Sequence, residues 1–378
     1  DDAGDRDTDL YFCTRPNGGS LQERMRISKS GGITMQNNLD VAGTVLINKA
    51  SNPTSLQIGS LLADDPFIVF QTDGNTMSMG IDRSDSNKFK ISDNATLGTN
   101  DRLIITTVGE IYNADSAAPN NNTYYGHFGG YSLTSGTANT TFGSDAGPSI
   151  TEGIGNNYFG QFAGRYSTTG DYNVAIGQEA LEDLTVGNSN IAIGRAAGNL
   201  GDFSETVFVG TLAGYQNTQG ATVGIGNEAL KNNTSINNTA VGHRVLINNT
   251  TGDSNTGLGF RALDTNVTGN NNTAIGSEAL RNTTGGSNVA VGTQAGLDLV
   301  GGIENTLLGT SAGRSLTTGQ LNVAIGSNAL RNSTVDSHNV AIGRAAMQAS
   351  TSGSENIAIG TDTLEATSGT GNVAIGYR

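Results

Sequence analysis

A short motif ending in glycine recurs sixteen times from residue 122 onward, and this repeat constrains the fold more than any other feature. Successive motif glycines, from Gly126 to Gly376, lie 16 or 17 residues apart. Counting the glycine as position 0, position −1 is always bulky and apolar, and position −3 is β-branched in every copy except Asn157. Apolar residues spaced by two are typical of a β-strand. The sequence therefore predicts one short strand in each repeat.

The intervals between these strands are rich in Gly, Asn, Ser and Thr, as expected for tight turns. A strand at this fixed period predicts a parallel β-solenoid in which each repeat forms one coil. Coils stack about 4.8 Å apart, so fifteen intervals give a rod of roughly 70 Å. We predict about 15 coils over residues 119–378 and expect the solenoid to continue beyond them.

The first third of the chain lacks this repeat but carries alternating segments such as Arg24–Ser28 and Lys88–Ser92, separated by Gly- and Asn-containing turns. This pattern predicts antiparallel strands joined by hairpins. We assign residues 1–48 to one β-rich shaft segment and residues 49–118 to a second segment with a linker. The predicted fold class is all-β, a homotrimeric β-solenoid or β-roll rod preceded by an antiparallel β-rich shaft region.

Position −4 is Asn in fourteen repeats, and Thr206 and Thr222 replace it in the other two. An Asn amide can bond its own turn and also the Asn of the next coil, which would form a ladder along the solenoid. Tolerance of a left-handed corner is the alternative reason for Asn at this place. The predicted ladder includes Asn173, Asn190, Asn272, Asn322, Asn339 and Asn356.

The alternation divides each strand into two faces, so that Val174 and Ile176 point one way while Ala175 points the other. We interpret the bulky side as the core of the coil, with Ile176, Ile193, Ile275, Ile325, Ile342 and Ile359 as core residues. Solvated strand faces are normally polar, so a stripe of small apolar residues indicates a dry contact between identical chains. That predicted association face contains Ala175, Ala192, Ala274, Ala324, Ala341 and Ala358.

Charge and composition argue against several classes of partner. The net charge of −14 opposes binding to nucleic acid phosphates or anionic lipid, so we expect neither a nucleic acid partner nor membrane insertion. No apolar run approaches the ~18 residues that span a bilayer. Cys13 is the single cysteine, which excludes an intrachain disulfide and a cysteine-based metal site.

The segments Asn173–Leu181 and Asn322–Leu330 both read Asn-Val-Ala-Ile-Gly-x-x-Ala-Leu. This motif resembles the head repeats of trimeric autotransporter adhesins and, equally, the β-rich repeats of bacteriophage tail fibres. Both are homotrimeric rods of parallel β-roll coils, and the period of 16 to 17 residues is longer than that of the adhesin heads. The stretch Glu23–Gly43 resembles shaft segments of phage tail fibres, which favours the phage alternative.

These resemblances imply a structural and binding protein, a phage tail fibre that attaches to a host cell by multivalent contacts. The implied partners are further copies of the chain, a host cell-surface glycan or protein, and other tail or baseplate proteins. The implied location is the virion. A bacterial surface adhesin or extracellular filament is the alternative within this class, and a glycan-cleaving tailspike is the alternative from another class.

We expect no catalytic, cofactor-binding or metal-binding residues. His127, His243 and His338 are scattered, and Ser311 lies in a Gly-x-Ser-x-Gly match that the repeat glycines themselves create. Glu179, Glu228 and Glu278 share one outer position, where a solvated acidic edge is the simplest interpretation. An ice-binding solenoid would need a flat threonine ladder, and we expect the threonines to be dispersed in loops.

Overall fold

The computed structural model describes residues 10–14, 22–27, 33–35, 67–72, 75–82, 84, 86–92, 101–105, 111–112, 122–350, 353–366 and 368–377. All regular structure in these ranges is β-strand, and they contain no helix. The chain divides into two compact units, residues 1–66 and 67–378. This division falls inside the predicted segment 49–118, so the boundaries after residues 48 and 118 stay predictions.

The first unit contains a three-stranded antiparallel sheet in the order β1-β2-β3. Its strands are β1 (Leu10–Thr14), β2 (Gln22–Ile27) and β3 (Ile33–Met35). Met25 lies opposite both Phe12 and Met35 at the centre of the sheet. The thiol of Cys13 is free and exposed.

The second unit begins with five antiparallel strands that pair in chain order. They are β4 (Phe67–Thr72), β5 (Asn75–Asp82), β6 (Lys88–Ser92), β7 (Asp101–Ile105) and β8 (Ile111–Tyr112). Lys90 on β6 and Asp82 on β5 are both buried, and the Lys90 Nζ lies 2.6 Å from Asp82 Oδ2. A buried charge needs such a partner, since an isolated one would cost several kcal/mol.

The remainder of the second unit is the predicted parallel β-solenoid, which the structure confirms as one sheet of sixteen parallel strands. Every strand has three residues and pairs in register with its neighbours, so each motif position forms a column. The strands are β9 (Thr123–Tyr125), β10 (Thr140–Phe142), β11 (Asn157–Phe159), β12 (Val174–Ile176), β13 (Ile191–Ile193), β14 (Val207–Val209), β15 (Val223–Ile225), β16 (Thr239–Val241), β17 (Thr256–Leu258), β18 (Thr273–Ile275), β19 (Val289–Val291), β20 (Thr306–Leu308), β21 (Val323–Ile325), β22 (Val340–Ile342), β23 (Ile357–Ile359) and β24 (Val373–Ile375).

The coil closes through four corners at which the backbone has positive φ. One is the motif glycine, and a Cβ on Gly177 would lie 2.6 Å from the carbonyl oxygen of Gly194 in the next coil. The other corners are at positions +2, +4 and −5, where non-glycine residues also adopt left-handed φ, such as 59° at Glu278, 47° at Leu280 and 60° at Ser287. This conformation costs roughly 1–2 kcal/mol per residue and persists where the surrounding structure enforces it.

The two strand faces are the reverse of those expected from the sequence. The residues predicted to form the association face, Ala175, Ala192, Ala274, Ala324, Ala341 and Ala358, are fully buried inside the coils. The residues predicted to form the core, Ile176, Ile193, Ile275, Ile325, Ile342 and Ile359, lie on the outer face and are half-buried or exposed. The reason is space, because a coil of 16 to 17 residues encloses a narrow interior that its opposite side fills with leucines such as Leu181 and Leu184.

Candidate functional site: the outer faces of the solenoid

The outer side of the solenoid sheet carries a continuous column of bulky apolar residues beside a second column of Val, Ile and Thr with one Asn. This apolar face consists of the first and third residues of strands β9 to β24, which are β-branched or bulky in every strand except for Asn157. Ile176 remains 41% exposed and Tyr125 67% exposed. Three-residue strands about 10 Å long, repeated over about 70 Å, give the face roughly 700 Å². Monomeric proteins rarely expose an apolar patch larger than about 300–600 Å².

The first three strands carry aromatic residues at the end of this face. The Tyr125 and Phe142 rings stack with centroids 4.8 Å apart, and Phe159 continues the row at 6.4 Å. All three occupy position −1, where later strands have Ile, Val or Leu. The aromatic row therefore forms the first part of the apolar face, and its residues pair in register like those of the later strands.

Asn side chains at position −4 form a hydrogen-bonded ladder beside the strands. The Asn190 backbone N–H donates to Asn173 Oδ1 at 3.0 Å, and the Asn190 side-chain amide donates to the same oxygen at 2.9 Å. Asn173 Nδ2 in turn donates to the Gly187 carbonyl at 2.8 Å. The bond from a backbone N–H to the Oδ1 of the preceding ladder residue recurs at the other predicted ladder residues, Asn272, Asn322, Asn339 and Asn356. Each ladder residue is buried, so these contacts tie successive coils together without water.

A second amide ladder, which the sequence reasoning missed, lies at position +7. Asn233 Nδ2 donates to Asn217 Oδ1 at 2.8 Å, and Asn249 Nδ2 donates to Asn233 Oδ1 at 2.6 Å. Asn266 extends the row, with Nδ2 3.2 Å from Asn249 Oδ1. The recurrence of Asn at one position in four successive repeats was the signal that could have revealed it.

The expectation that threonines are dispersed is wrong, because they form a column at position +8. The Thr134 hydroxyl donates to the Thr151 carbonyl at 3.0 Å, and that of Thr168 donates to the Thr185 carbonyl at 3.0 Å. These hydroxyls thus bond the next coil. The column comprises Thr134, Thr151, Thr168, Thr185, Thr218, Thr234, Thr250, Thr284, Thr317 and Thr334, and Asp202, Val267 and Val300 interrupt it.

The interruption at Asp202 has an electrostatic consequence. The Asp202 carboxylate accepts hydrogen bonds from the Thr185 hydroxyl and from the backbone N–H groups of residues 185, 186 and 187. Partial burial acts to raise the pKa of Asp202, but these hydrogen bonds together outweigh it and hold the pKa below its usual value. Inside the solenoid, burial raises the pKa of Tyr158, whose hydroxyl donates to Ser167 Oγ at 2.9 Å.

Positions +2 and +5 form a charged edge on a side of the coil that follows the glycine corner. The two positions are three residues apart and carry opposite charges in several coils. Lys231 Nζ lies 2.9 Å from Glu228 Oε1, and Arg281 Nη1 lies 3.0 Å from Glu278 Oε1. Arg261 and the buried Asp264 form a third pair with the signs exchanged.

The structure does not bring the candidate catalytic carboxylates together within one chain. Glu179, Glu228 and Glu278 are separated by three coils each, or roughly 14 Å along the solenoid. Glycoside hydrolysis uses carboxyl groups about 5–9.5 Å apart. Glu228 and Glu278 are also engaged in the ion pairs described above, and Glu179 lies beside Gln178.

The remaining candidates are equally separate. His127 packs against Phe128, and His243 stacks on Phe260 with ring centroids 5.6 Å apart, seven coils further along. Ser311 has a positive φ, as a nucleophile elbow would, but every residue at position +2 shares that conformation. Within the described ranges, no three His, Cys, Asp or Glu side chains are grouped so that they could hold a metal ion.

Comparison of the chain with protein families, with curated proteins and with solved structures finds no match. In the described part of the chain, no helix has the length and apolar character needed to cross a membrane. The apolar face and the charged edge are two chemically distinct outer surfaces of the solenoid.

Proposed function

We propose that this chain is a structural and binding protein whose solenoid associates through the apolar face into a homotrimeric rod. The observation that carries the proposal is the face itself, in which a continuous bulky apolar column lies beside a mostly β-branched one, outside a coil interior that is already filled. In a trimer each chain divides this face between two neighbours, so each contact takes roughly 350 Å² of it and runs the whole length of the sheet. Further copies of the chain suit it because their coil spacing is identical along the whole length.

A threefold arrangement matches the two columns of the face. Column −3 is mostly Val, Thr and Ile, while column −1 carries the larger Ile, Leu and aromatic side chains. In a trimer, column −3 of one chain would pack against column −1 of the next, so both columns would be shielded from water. The resemblance of Asn173–Leu181 and Asn322–Leu330 to the repeats of trimeric adhesins and phage fibres supports three chains rather than two.

The rod would belong to a bacteriophage tail fibre and bind the host cell surface. Three chains per fibre and several fibres per particle would multiply weak contacts through a high effective concentration. The antiparallel sheets of residues 10–112 would serve as the shaft, and other tail or baseplate proteins would hold the fibre. The resemblance of Glu23–Gly43 to tail-fibre shafts supports the virion over the bacterial cell surface.

Immunogold electron microscopy with an antibody against residues 119–378 tests this assignment on a culture and its particle fraction. Gold on thin fibres at virion tails is the expected result. Gold on hairs that project from cells would contradict the phage assignment and support a bacterial adhesin or filament. Release of reducing ends from host capsule by the purified protein would instead support a glycan-cleaving spike.

A further inference from the structure

Two consecutive coils carry an arginine on the charged edge without an acidic residue at position +2 of the same coil. In the coils of Glu228, Arg261 and Glu278, position +2 pairs with an opposite charge at position +5. The coil that starts at Gly309 has Arg314 at position +5 but Ser311 at position +2. The next coil, which starts at Gly326, has Arg331 at position +5 but Asn328 at position +2. Neither Arg314 nor Arg331 therefore has the acidic neighbour at position +2 that Arg281 has in Glu278.

The two arginines are neighbours across the coil interface. The backbone N–H of Ser315 donates to the Arg331 carbonyl at 2.9 Å, so Arg314 and Arg331 occupy the same position of adjacent coils, whose backbones lie about 5 Å apart. Each is half-buried, and the Nε of each is buried with no hydrogen-bond partner. Their Nη groups are accessible and have no hydrogen-bond partner in the described part of the chain, so they are free to donate to a ligand carboxylate.

Nearby carboxylates do not compensate them. Asp298, in the preceding coil, accepts a hydrogen bond from Asn282 on its far side at 3.2 Å. Asp362 is paired with Arg344 at 2.8 Å. Neither Arg314 nor Arg331 forms an ion pair with a carboxylate in the part of the chain that the structure describes.

We propose that Arg314 and Arg331 form a binding site for the carboxylate groups of an acidic polysaccharide. Planar guanidinium groups match a carboxylate with two parallel N–H···O bonds, and two of them in one column can hold one bridging carboxylate or two successive ones. The net charge of −14 disfavours a denser polyanion such as nucleic acid.

This inference rests on the proposed function, because a protein that attaches to cells would meet the ligand as a polymer of the cell surface. The test uses the full chain and immobilised polygalacturonate as probe, with neutral dextran and duplex DNA in parallel. The unmodified protein should bind polygalacturonate, should not bind dextran or DNA comparably, and should lose affinity as salt increases. Equal binding to dextran, or stronger binding to DNA, would overturn the proposal.

Three double variants with the same change in net charge make the test specific. Arg314→Gln/Arg331→Gln removes the donors, and Ser311→Glu/Asn328→Glu supplies the acids found at position +2 of other coils. Both should weaken polygalacturonate binding by at least about tenfold, because each removes charge-assisted hydrogen bonds from the ligand. Gln161→Glu/Gln178→Glu, on exposed side chains of distant coils, should bind within about twofold of the unmodified protein.

The Ser311→Glu/Asn328→Glu variant keeps both arginines and uses a residue that position +2 already accepts, so it guards against loss of folding. Unchanged binding in this variant and in Arg314→Gln/Arg331→Gln would refute the site. Sedimentation of the same samples measures chain association separately. If a variant still associates but no longer binds polysaccharide, the arginine site is responsible for binding. If the unmodified chain does not associate, the proposed function is contradicted.

Discussion

A Cβ atom placed on Gly214 would lie 2.4 Å from Cε1 of Phe208, closer than any real side chain allows. Phe208 is the middle residue of β14, and Gly214 is at position +4 of the same coil. Tyr158 and Gly164 repeat this relationship in another coil. Where the middle strand residue is Ala or Gly, position +4 is usually Leu, as in the pair Ala324 and Leu330. The interior of a coil is thus filled either by a large residue in the middle of the strand or by Leu at position +4.

Because either position can fill the interior, substitutions at Phe208 and Gly214 should compensate each other in their effect on stability. Phe208→Ala should cost about 3–5 kcal/mol through the cavity it leaves. Gly214→Leu alone should destabilise by overpacking against Phe208. The double variant recreates the Ala/Leu combination of other coils, and Leu230 already has φ of 53° at the equivalent corner. Its free energy of unfolding in urea should therefore exceed that of Phe208→Ala, whereas simply additive losses would contradict the exchange.

The reversed strand faces predict opposite effects for adjacent residues of β21. Ala324 is fully buried, so Ala324→Arg should abolish the folded coils around it, because an unpaired buried charge costs several kcal/mol. Ile325 lies on the apolar face, so Ile325→Asp should leave the sheet folded but weaken association. Far-ultraviolet circular dichroism and sedimentation of both variants test this. A folded, associated Ala324→Arg protein would show that the alanines do not line the interior.

These faces illustrate what the sequence could and could not predict. The glycine motif set the strand positions, the parallel register and the Asn ladder, because each depends on spacing alone. Alternation by two shows that Ala175 and Ile176 point apart but does not show which side is enclosed. That choice depended on Leu181 and Leu184 across the coil, and their approach follows from the left-handed corners at positions +2 and +4. Non-glycine residues such as Glu179 carry no sequence signal for such corners.

The Asn ladder predicts a graded response at Asn322. Its Nδ2 donates to Asn305 Oδ1 at 3.0 Å and to the Asp336 carbonyl at 2.8 Å, and its Oδ1 accepts from Asn339. Asn322→Ala leaves these buried groups unpaired and should cost roughly 2–4 kcal/mol of unfolding free energy. Asn322→Thr should cost less, because the hydroxyl of Thr206 already donates to Asn190 Oδ1 at 2.9 Å at the same position. Equal losses in urea unfolding would argue against the ladder.

Asp202 predicts a pH-dependent contribution to stability. Its folded-state pKa is below the unfolded value, so its contribution is complete above the unfolded pKa of about 4 and disappears as pH falls through the folded pKa. Asp202→Asn removes this titration and should reduce the loss of melting temperature between pH 5 and the acid limit of about pH 2. Glu152→Gln, in another coil, serves as a charge-matched control. Identical acid profiles for the unmodified and Asp202→Asn proteins would exclude the proposed contacts.

Sedimentation equilibrium of the unmodified chain tests the central claim, that the Val and Ile side chains of the solenoid sheet hold identical chains together. The account predicts a single species of about three times the 38.8 kDa of one chain, and a smaller mass for Ile325→Asp under the same conditions. A folded protein that sediments as one chain at micromolar concentration would contradict it.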